Sequence, residues 1–400
     1  MNKVEQIYLK EKGLMIMISL FSAIIPLSID LYLPVLPKMV EKLSTTQSLV
    51  NLTLTFFYIF FGISTLLLGP LSDKYGRKKI LLIGTTLYTL SSFFCMMAIN
   101  VESLILFRII QAIGSGAIVA VASAIIKDSF DGKKRETMFA IVQSMMMIAP
   151  IIAPLLGAFL LKFFSWRGLF GVLGFIGIVL IVFTCLFKET LIIKSSESSF
   201  KSLGNLIVVL KNPVFRNLLI IFSFMALPLM AYVAVSPYIF VNIFGLSEQK
   251  YSYYFAFNSL FSVIGPILCL YLTNKISSNK IIVFSLVITF LCGICVITFG
   301  LKSPILLALI IAPSTLVNGI LKPLGVNLMF EKSNAEAGTI SSLINFTFIL
   351  FGFVGMTLVS ALASINFVVL LGIILSVVGL INFLLIFLAI KNTNQIKQNI

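Results

Sequence analysis

Apolar stretches of about 20 residues recur along the whole chain, separated by short polar connections. Each stretch is long enough to cross the roughly 30 Å hydrocarbon core of a bilayer as an α-helix. With 59% hydrophobic and 11% charged residues, the chain is also far more apolar than soluble globular proteins, whose apolar share is about 45–50%. The sequence therefore predicts an all-α polytopic membrane protein.

Twelve transmembrane helices in two six-helix, pseudo-symmetric halves are predicted. The predicted spans are 14–36, 48–71, 79–99, 102–126, 137–161, 166–187, 214–241, 250–273, 279–299, 303–328, 337–361 and 365–390. The longest polar connection divides six spans from six. It therefore separates an N-terminal bundle at 1–187 from a C-terminal bundle at 214–400, with a cytoplasmic linker at 188–213. A short repeat supports this division, because 71–80 aligns without a gap on 272–281. Internal repeats of this kind are typical of secondary transporters, which bind substrate where the repeats meet.

Lysine and arginine concentrate in alternate connections, with clusters at 74–79, 127–135 and 188–216. Because cytoplasmic loops carry an excess of these residues, we expect both termini to be cytoplasmic. The net charge of +15 is thereby explained by membrane topology, and no nucleic-acid partner is expected. The expected location is the cytoplasmic (inner) membrane of a bacterium, with the lipid bilayer as the main partner of a monomer.

Several kinds of chemistry have no residues to support them. The chain contains no histidine, which excludes sites that depend on a histidine base or metal ligand. Its five cysteines all fall in apolar spans, which argues against a disulfide framework. No phosphate-binding loop of the G-x-x-x-x-G-K-S/T type occurs, so ATP hydrolysis is not expected. We predict no enzyme activity, no metal and no cofactor.

Asp30 is the one acidic side chain inside a long apolar segment, since the other acids lie at segment ends or in polar connections. A carboxylate in hydrocarbon costs about 2.5–3.5 kcal/mol on insertion scales, so such an acid is a functional-site candidate. Desolvation favours its protonated form, which would let it load and release a proton. The alternative is an acid at a helix end that faces the outer headgroups.

Arg108 lies about six residues inside the outer boundary of span four, roughly 9 Å deep at 1.5 Å per residue. Asp30 is predicted at a comparable depth and is the only intramembrane acid available as its partner. The hypothesis is that the two side chains are close in one conformational state and apart in another. The alternative is an arginine that snorkels to the outer surface.

The connection between spans two and three reads Gly-Pro-Leu-Ser-Asp-Lys-Tyr-Gly-Arg-Lys-Lys at 69–79. As a physical pattern it is a tight turn with a basic cluster that can contact anionic lipid heads. Its spelling resembles the signature loop of the major facilitator superfamily. The resemblance implies a latch that holds the cytoplasmic side shut, formed by Gly69, Asp73, Gly76, Arg77 and Asp128. The alternative is a loop that only sets topology.

The spelling Asp-x-Tyr-Leu-Pro at 30–34 resembles the bicyclomycin/chloramphenicol-resistance (Bcr/CflA) drug-efflux subfamily. That resemblance implies that Asp30 couples proton and substrate. The Arg-x-x-Gln spelling of Arg108 and Gln111 resembles the superfamily's fourth-helix motif, whose arginine is tied to proton transfer.

Span five contains Ala-Pro-Leu-Leu-Gly-Ala at 153–158. It resembles the antiporter motif of the export branches, whose usual spelling is Gly-Pro-x-x-Gly-Gly. The positions carried over are Pro150, Ala153, Pro154 and Gly157.

The resemblances together predict a drug-efflux antiporter driven by the proton gradient, whose halves rock about a shared substrate cavity. Asp30 and Arg108 would couple the proton to a small, drug-like substrate that is amphiphilic and neutral or cationic. The predicted pocket residues are Tyr32, Asn51, Tyr58, Gln111, Gln143, Met146, Pro154, Tyr232, Tyr238 and Asn258. Each of these also fits plain helix packing. A transporter of one specific metabolite, for which drug export is incidental, is the alternative function.

Overall fold

The structure is a computed structural model that describes residues 4, 6–192, 199–333, 335 and 337–398. Helices dominate, and no strand occurs in these ranges. The helices are α1 Lys10–Asp30, α2 Leu36–Lys42, α3 Gln47–Tyr75, α4 Arg77–Met97, α5 Val101–Ser129, α6 Gly132–Leu160, α7 Trp166–Leu186, α8 Ser199–Leu210, α9 Pro213–Phe224, α10 Ala226–Pro237, α11 Glu248–Thr273, α12 Ser278–Phe299, α13 Pro304–Glu331, α14 Ala337–Ala361 and α15 Phe367–Gln398.

Twelve helical spans in the described ranges are long and apolar enough to cross a membrane, which confirms the predicted fold class. Two spans are built from more than one helix. The first joins α1 to α2 through a 3₁₀ turn at Leu33–Val35, and the seventh joins α9, α10 and a π-helical segment at Tyr238–Ile243. Part of the predicted linker is helical as well, because α8 lies within 188–213.

The break in the first span follows from its prolines. An uninterrupted helix would need the N–H of residue 34 to bond the carbonyl of Asp30, and a proline has no such N–H. Helix α1 therefore ends at Asp30, and the chain resumes a regular helix only at Leu36. The prolines place the carboxyl group of Asp30 at a helix end inside a membrane span.

The chain divides into two compact units, residues 1–203 and 204–400. Within the first unit, α3 and α4 pack on α5, α4 packs on α7, and α1 packs on α6. The second unit repeats these pairings, since α11 and α12 pack on α13, α12 packs on α15, and α10 packs on α14. The two halves of the sequence therefore fold into equivalent bundles.

Glycines at helix crossings show the repeat residue by residue. A Cβ on Gly157 of α6 would collide with the backbone carbonyl of Leu31, and one on Gly355 of α14 would collide with that of Leu227. Small residues at such crossings let helix backbones approach closely in a membrane. The matching contacts make Leu31 and Leu227 equivalent, so Asp30 in the first unit corresponds to Ala226 in the second.

Candidate functional site

Asp30 is buried, with 6% of its surface exposed. Its carboxyl group forms no hydrogen bond or ion pair with any residue in the described ranges, although it interacts electrostatically with Tyr58 of α3. A buried carboxylate without a partner is costly. Asp30 therefore has the surroundings of an acid that binds a proton or a polar ligand.

Arg108 of α5 is fully buried, with no exposed surface, and aromatic rings surround it. Its guanidinium carbon lies 4.1 Å from the ring centre of Phe57, 4.7 Å from that of Tyr32 and 5.7 Å from that of Phe170. A cation on an aromatic face gains about 0.5–2 kcal/mol, most where water is excluded. The three rings, from α3, the turn after α1 and α7, form an aromatic cage around the charge.

Hydrogen bonds complete the shell of Arg108. Its Nη1 donates to Gln111 Oε1 at 2.6 Å and its Nη2 donates to the Tyr32 hydroxyl at 3.3 Å, while Nε donates to the Thr53 carbonyl at 3.4 Å. The network continues from Gln111 Nε2 to Ser92 Oγ at 2.7 Å. The guanidinium is thus held by rings and neutral oxygens, and none of the carboxylates in the described ranges contacts it.

Asp30 and Arg108 form no ion pair in this structure, within the part of the chain that is described. The pairing hypothesis requires a state in which they are apart, and this arrangement is compatible with that state. The fold brings together Arg108, Gln111 and Tyr32, three of the residues that the sequence predicts for the site. Sequence reasoning did not find Thr53, nor the Phe57 and Phe170 rings, because aromatic residues in apolar spans carry no distinguishing pattern.

Arg77 is the centre of the predicted latch. It lies 2.5 Å from Asp73 and 2.9 Å from Asp128 at the end of α5, and it donates to Ser72 Oγ at 2.7 Å. Arg77 is itself 5% exposed. The structure therefore brings together the three charged residues assigned to the latch, across the junction of α3, α4 and α5.

Glu189, just beyond α7, was not predicted and completes this cluster. Its Oε1 accepts backbone N–H bonds from Arg77 at 3.1 Å and from residues 190 and 191 at 3.0 Å, while its Oε2 accepts from the Lys78 N–H at 3.0 Å. A carboxylate at a helix N-terminus satisfies free N–H groups and complements the helix dipole. Glu189 therefore fastens the end of α7 to the start of α4.

Gly76 separates α3 from α4 with φ +108° and ψ 146°, a backbone conformation that is almost exclusive to glycine. A Cβ at this position would lie 2.7 Å from Glu189 Oε2. Both the conformation and the contact require glycine here. Gly69 differs, because a Cβ there would meet no atom within 4 Å.

The antiporter-motif positions lie on α6, beside Asp30. Ala153, Pro154 and Gly157 are buried, and Gly157 packs directly on the backbone of Leu31. Pro150 is half-buried, whereas Gln143 and Met146 are exposed. The motif thus sets how closely α6 approaches the helix end that carries the acid.

The remaining predicted pocket residues are divided between the two units and have different neighbours. In the second unit, Asn258 Nδ2 donates to the Tyr232 hydroxyl at 3.2 Å, and the Tyr232 ring stacks on Phe255. Tyr238 is fully buried and packs on Phe367. In the first unit, Asn51 is 1% exposed, and neither polar atom of its side chain has a partner among the described residues.

The site contains one buried carboxyl group, that of Asp30, and one buried guanidinium group, that of Arg108. No group of three or more potential metal ligands occurs in the described ranges. Among the described residues of the first unit, the buried charged side chains are those of Asp30, Arg77 and Arg108, and only Arg77 is in an ion pair.

Comparison with known proteins gives consistent matches along the chain. A model of the Major Facilitator Superfamily matches residues 18–356. The uncharacterized MFS-type transporter YdgK of Bacillus subtilis (strain 168) is 31% identical over 353 residues, which are 85% of this chain and 86% of the relative. The bicyclomycin resistance protein homolog of Haemophilus influenzae (strain ATCC 51907 / DSM 11121 / KW20 / Rd) is 24% identical over 345 residues, 82% and 83% of the two chains.

A solved structure gives the same fold. The bacterial homolog of the human lysosomal transporter Spinster, in an inward-facing and occupied conformation, matches with a TM-score of 0.73 at 15% identity. The match covers 94% of this chain and 96% of that one. At this identity the likeness concerns the fold alone.

Proposed function

Because this chain belongs to the Major Facilitator Superfamily, we propose that it is a proton-coupled antiporter that exports drugs or other small amphiphilic compounds by alternating access. The similarity to a bicyclomycin resistance protein homolog supports a drug as the substrate class. We place the protein in the inner membrane with both termini cytoplasmic, on the distribution of its basic residues. The proposed working unit is the monomer.

The observation that carries the proposal is the buried carboxyl group of Asp30, which has no partner among the described residues. Hydrocarbon surroundings favour its neutral form, and a nearby positive charge favours its charged form. A proton entering from outside would therefore bind Asp30 in one state. Approach of a cationic substrate group, or of Arg108 in another state, would release it.

Arg108 is proposed as the fixed charge of this cycle. Its cage of Tyr32, Phe57 and Phe170 surrounds the guanidinium, and no acid of the described residues forms an ion pair with it. Arg108 can thus act on Asp30 only in states that bring the two side chains closer. Capture of every state with the pair beyond ion-pair distance would contradict this role.

The contacts around Arg77 support a latch that stabilises one state of the cycle. Arg77, at the start of α4, contacts Asp73 in the last turn of α3 and Asp128 near the end of α5, which links three helices of one bundle at their ends. Opening that end would require both ion pairs to separate. We assign the buried Tyr232–Asn258 pair to substrate contact in the second unit, together with Asn51 and Tyr58 in the first.

The test uses the purified protein in liposomes with an acidic interior, in which drug addition drives proton release. Proton flux is recorded for a panel of antibiotics and dyes with wild type, Asp30→Asn and Glu102→Gln. Glu102 is an exposed acid in the first turn of α5, so its variant controls for the loss of a carboxylate outside the site.

Drug-evoked flux that disappears only in Asp30→Asn is the expected result. Flux that survives in Asp30→Asn would move the proton site elsewhere. An absence of flux with every compound would overturn drug antiport and favour the transport of one specific metabolite.

A further inference from the structure

Lys322 is the charged residue of the second unit that lies deepest in a span. The other charged residues within the described spans of that unit lie within four residues of a span end; they are Arg216, Glu248, Lys250, Lys280 and Glu331. Lys322 lies nine residues before the end of α13 at Glu331, which is about 13 Å along the helix. A charged side chain inside the membrane is energetically costly, so a lysine at this depth is a candidate for a functional role.

Its surroundings do not neutralise the charge. The Nζ lies 4.8 Å from the ring centre of Phe348 on α14, and Lys322 has no hydrogen bond or ion pair within the described part of the chain. Its side chain is nevertheless exposed. One aromatic face contributes about 0.5–1 kcal/mol at an exposed site. The ammonium group therefore keeps most of its capacity to bind an anion.

The helix face that carries Lys322 also lines a small cavity. Ser314 and Asn318 stand at four-residue intervals before it, and Tyr232 of α10 faces them across the cavity. Residues four apart lie on one helix face about 6 Å apart. Lys322 therefore lies on the same face of α13 as Asn318, one helical turn beyond the cavity lining. The apolar part of the lining includes Leu229, Ile311, Leu371 and Leu375.

Hydrogen-bond donors predominate along this face. The Tyr232 oxygen accepts from Asn258, which leaves its hydroxyl hydrogen free to donate. Ser314 adds a second hydroxyl, and Lys322 adds an ammonium group with three donors. Asn318 donates its amide N–H to the Met225 carbonyl at 2.7 Å, so its amide oxygen is the one acceptor that it adds beside these donors. Donors beside an apolar wall suit a ligand that combines an oxyanion with an apolar body.

We propose that Lys322 and the cavity before it form an oxyanion-accepting subsite that binds the carboxylate, or a similar group, of an amphiphilic substrate. The inference rests on the proposed transport function and extends its substrate class from neutral or cationic compounds to zwitterions and anions. An anionic lipid head group would offer the same chemistry, so the test separates lipid from substrate. Snorkelling of Lys322 to the membrane surface is the competing explanation.

The test measures binding of 11-(dansylamino)undecanoic acid and of its methyl ester to the full-length protein in phosphatidylcholine vesicles. The two fluorescent probes differ only in the carboxylate, and protein-free vesicles give the background from partitioning. The variants are Lys322→Met, Lys322→Arg and Lys302→Met. Lys302 is the matched control, because its Nζ lies 4.7 Å from the ring centre of Phe299 but beyond the end of α12.

Lys322→Met should weaken binding of the acid about tenfold or more, equivalent to about 1.4 kcal/mol, and leave binding of the ester unchanged. Lys322→Arg should retain the preference for the acid, and Lys302→Met should match wild type. Unchanged ester binding also shows that the variants are folded. These results should persist when phosphatidylglycerol replaces part of the lipid.

Equal affinity of the wild type for acid and ester would overturn the proposal, as would equal losses for both probes in Lys322→Met or no binding of either probe. Displacement of the acid by phosphatidylglycerol would assign the subsite to lipid and overturn the substrate assignment. Failure of the transport function has a different signature. Drug-evoked proton flux would then be absent from wild type, whatever the effect of Lys322→Met on probe binding.

Discussion

Glu189 offers the sharpest test of how the first unit is held together, because one side chain accepts four backbone N–H bonds at 3.0–3.1 Å. Glu189→Ala removes both acceptor oxygens, and with them all four bonds, as well as a charge at the N-terminus of α4. Each bond to a charged group contributes about 1.5–3 kcal/mol when buried. Glu189 is half-buried, so water can replace part of this loss. We expect Glu189→Ala to lower the free energy of unfolding by about 2–3 kcal/mol.

A double-mutant cycle with Gly76 isolates the contact itself. Gly76→Ala introduces backbone strain of about 1–3 kcal/mol, and it also places a Cβ 2.7 Å from Glu189 Oε2. The strain remains when Glu189 is alanine, but the collision disappears. The double variant should therefore be more stable than the sum of the single effects predicts, by about 1 kcal/mol, within the usual range for residues in contact.

The assay is reversible unfolding of the purified protein in mixed micelles at increasing denaturant, with Glu102→Ala as the control. Glu102 also lies in the first turn of a membrane helix, but its side chain is exposed. Strict additivity of the two single variants would refute the packing argument. A stability loss in Glu189→Ala no larger than that in Glu102→Ala would refute the capping argument.

Three further predictions test other contacts. Tyr32→Phe keeps a ring of the Arg108 cage but removes a hydroxyl bonded to the guanidinium, and it should destabilise the protein by about 1–2 kcal/mol, measured in the same unfolding assay. Gly157→Ala should abolish most drug-evoked proton flux, because its Cβ would meet a backbone carbonyl, whereas Gly69→Ala should leave flux unchanged and stability within about 1 kcal/mol of wild type. In Arg77→Lys, a single ammonium group cannot bond Asp73 and Asp128 at once as the planar guanidinium does. This variant keeps the net charge but should be cleaved faster by proteases at the α3–α4 junction.

Hydropathy alone predicted the number of spans, because each crossing of the bilayer requires a long apolar helix. The break after Asp30 was also foreseeable, since two nearby prolines interrupt the helical bonds. The helix within 188–213 was not predicted. Its apolar residues Ile207 and Val208 are exposed, and such a short amphipathic segment resembles a polar connection when only long apolar runs are sought.

The surroundings of Arg108 were the main feature that the sequence did not reveal. The sequence offers only one acid inside an apolar span, Asp30, as a partner for this arginine. The structure instead surrounds the guanidinium with Tyr32, Phe57 and Phe170. These residues lie far apart in the chain, and nothing in an apolar span distinguishes a phenylalanine that contacts a cation from one that contacts lipid.

The structural repeat allows the charged residues of the two units to be compared position by position. A Cβ added at Gly116 would meet the Phe61 carbonyl, and one added at Gly319 would meet the Ser262 carbonyl. These two glycines are therefore equivalent, which aligns α5 with α13 at an offset of 203 residues. Arg108 then corresponds to Ile311.

Since Asp30 corresponds to Ala226, the second unit lacks both charges of the first. It carries instead Lys322, whose counterpart at the same offset is Val119. The two units thus share their helix packing, but the buried or deep charged residues of one unit correspond to apolar residues in the other. If the repeat preserved function together with packing, the charged residues of the two units would occupy equivalent positions. Under the proposed function, the proton site at Asp30 then belongs to the first unit and the proposed oxyanion-accepting subsite at Lys322 to the second.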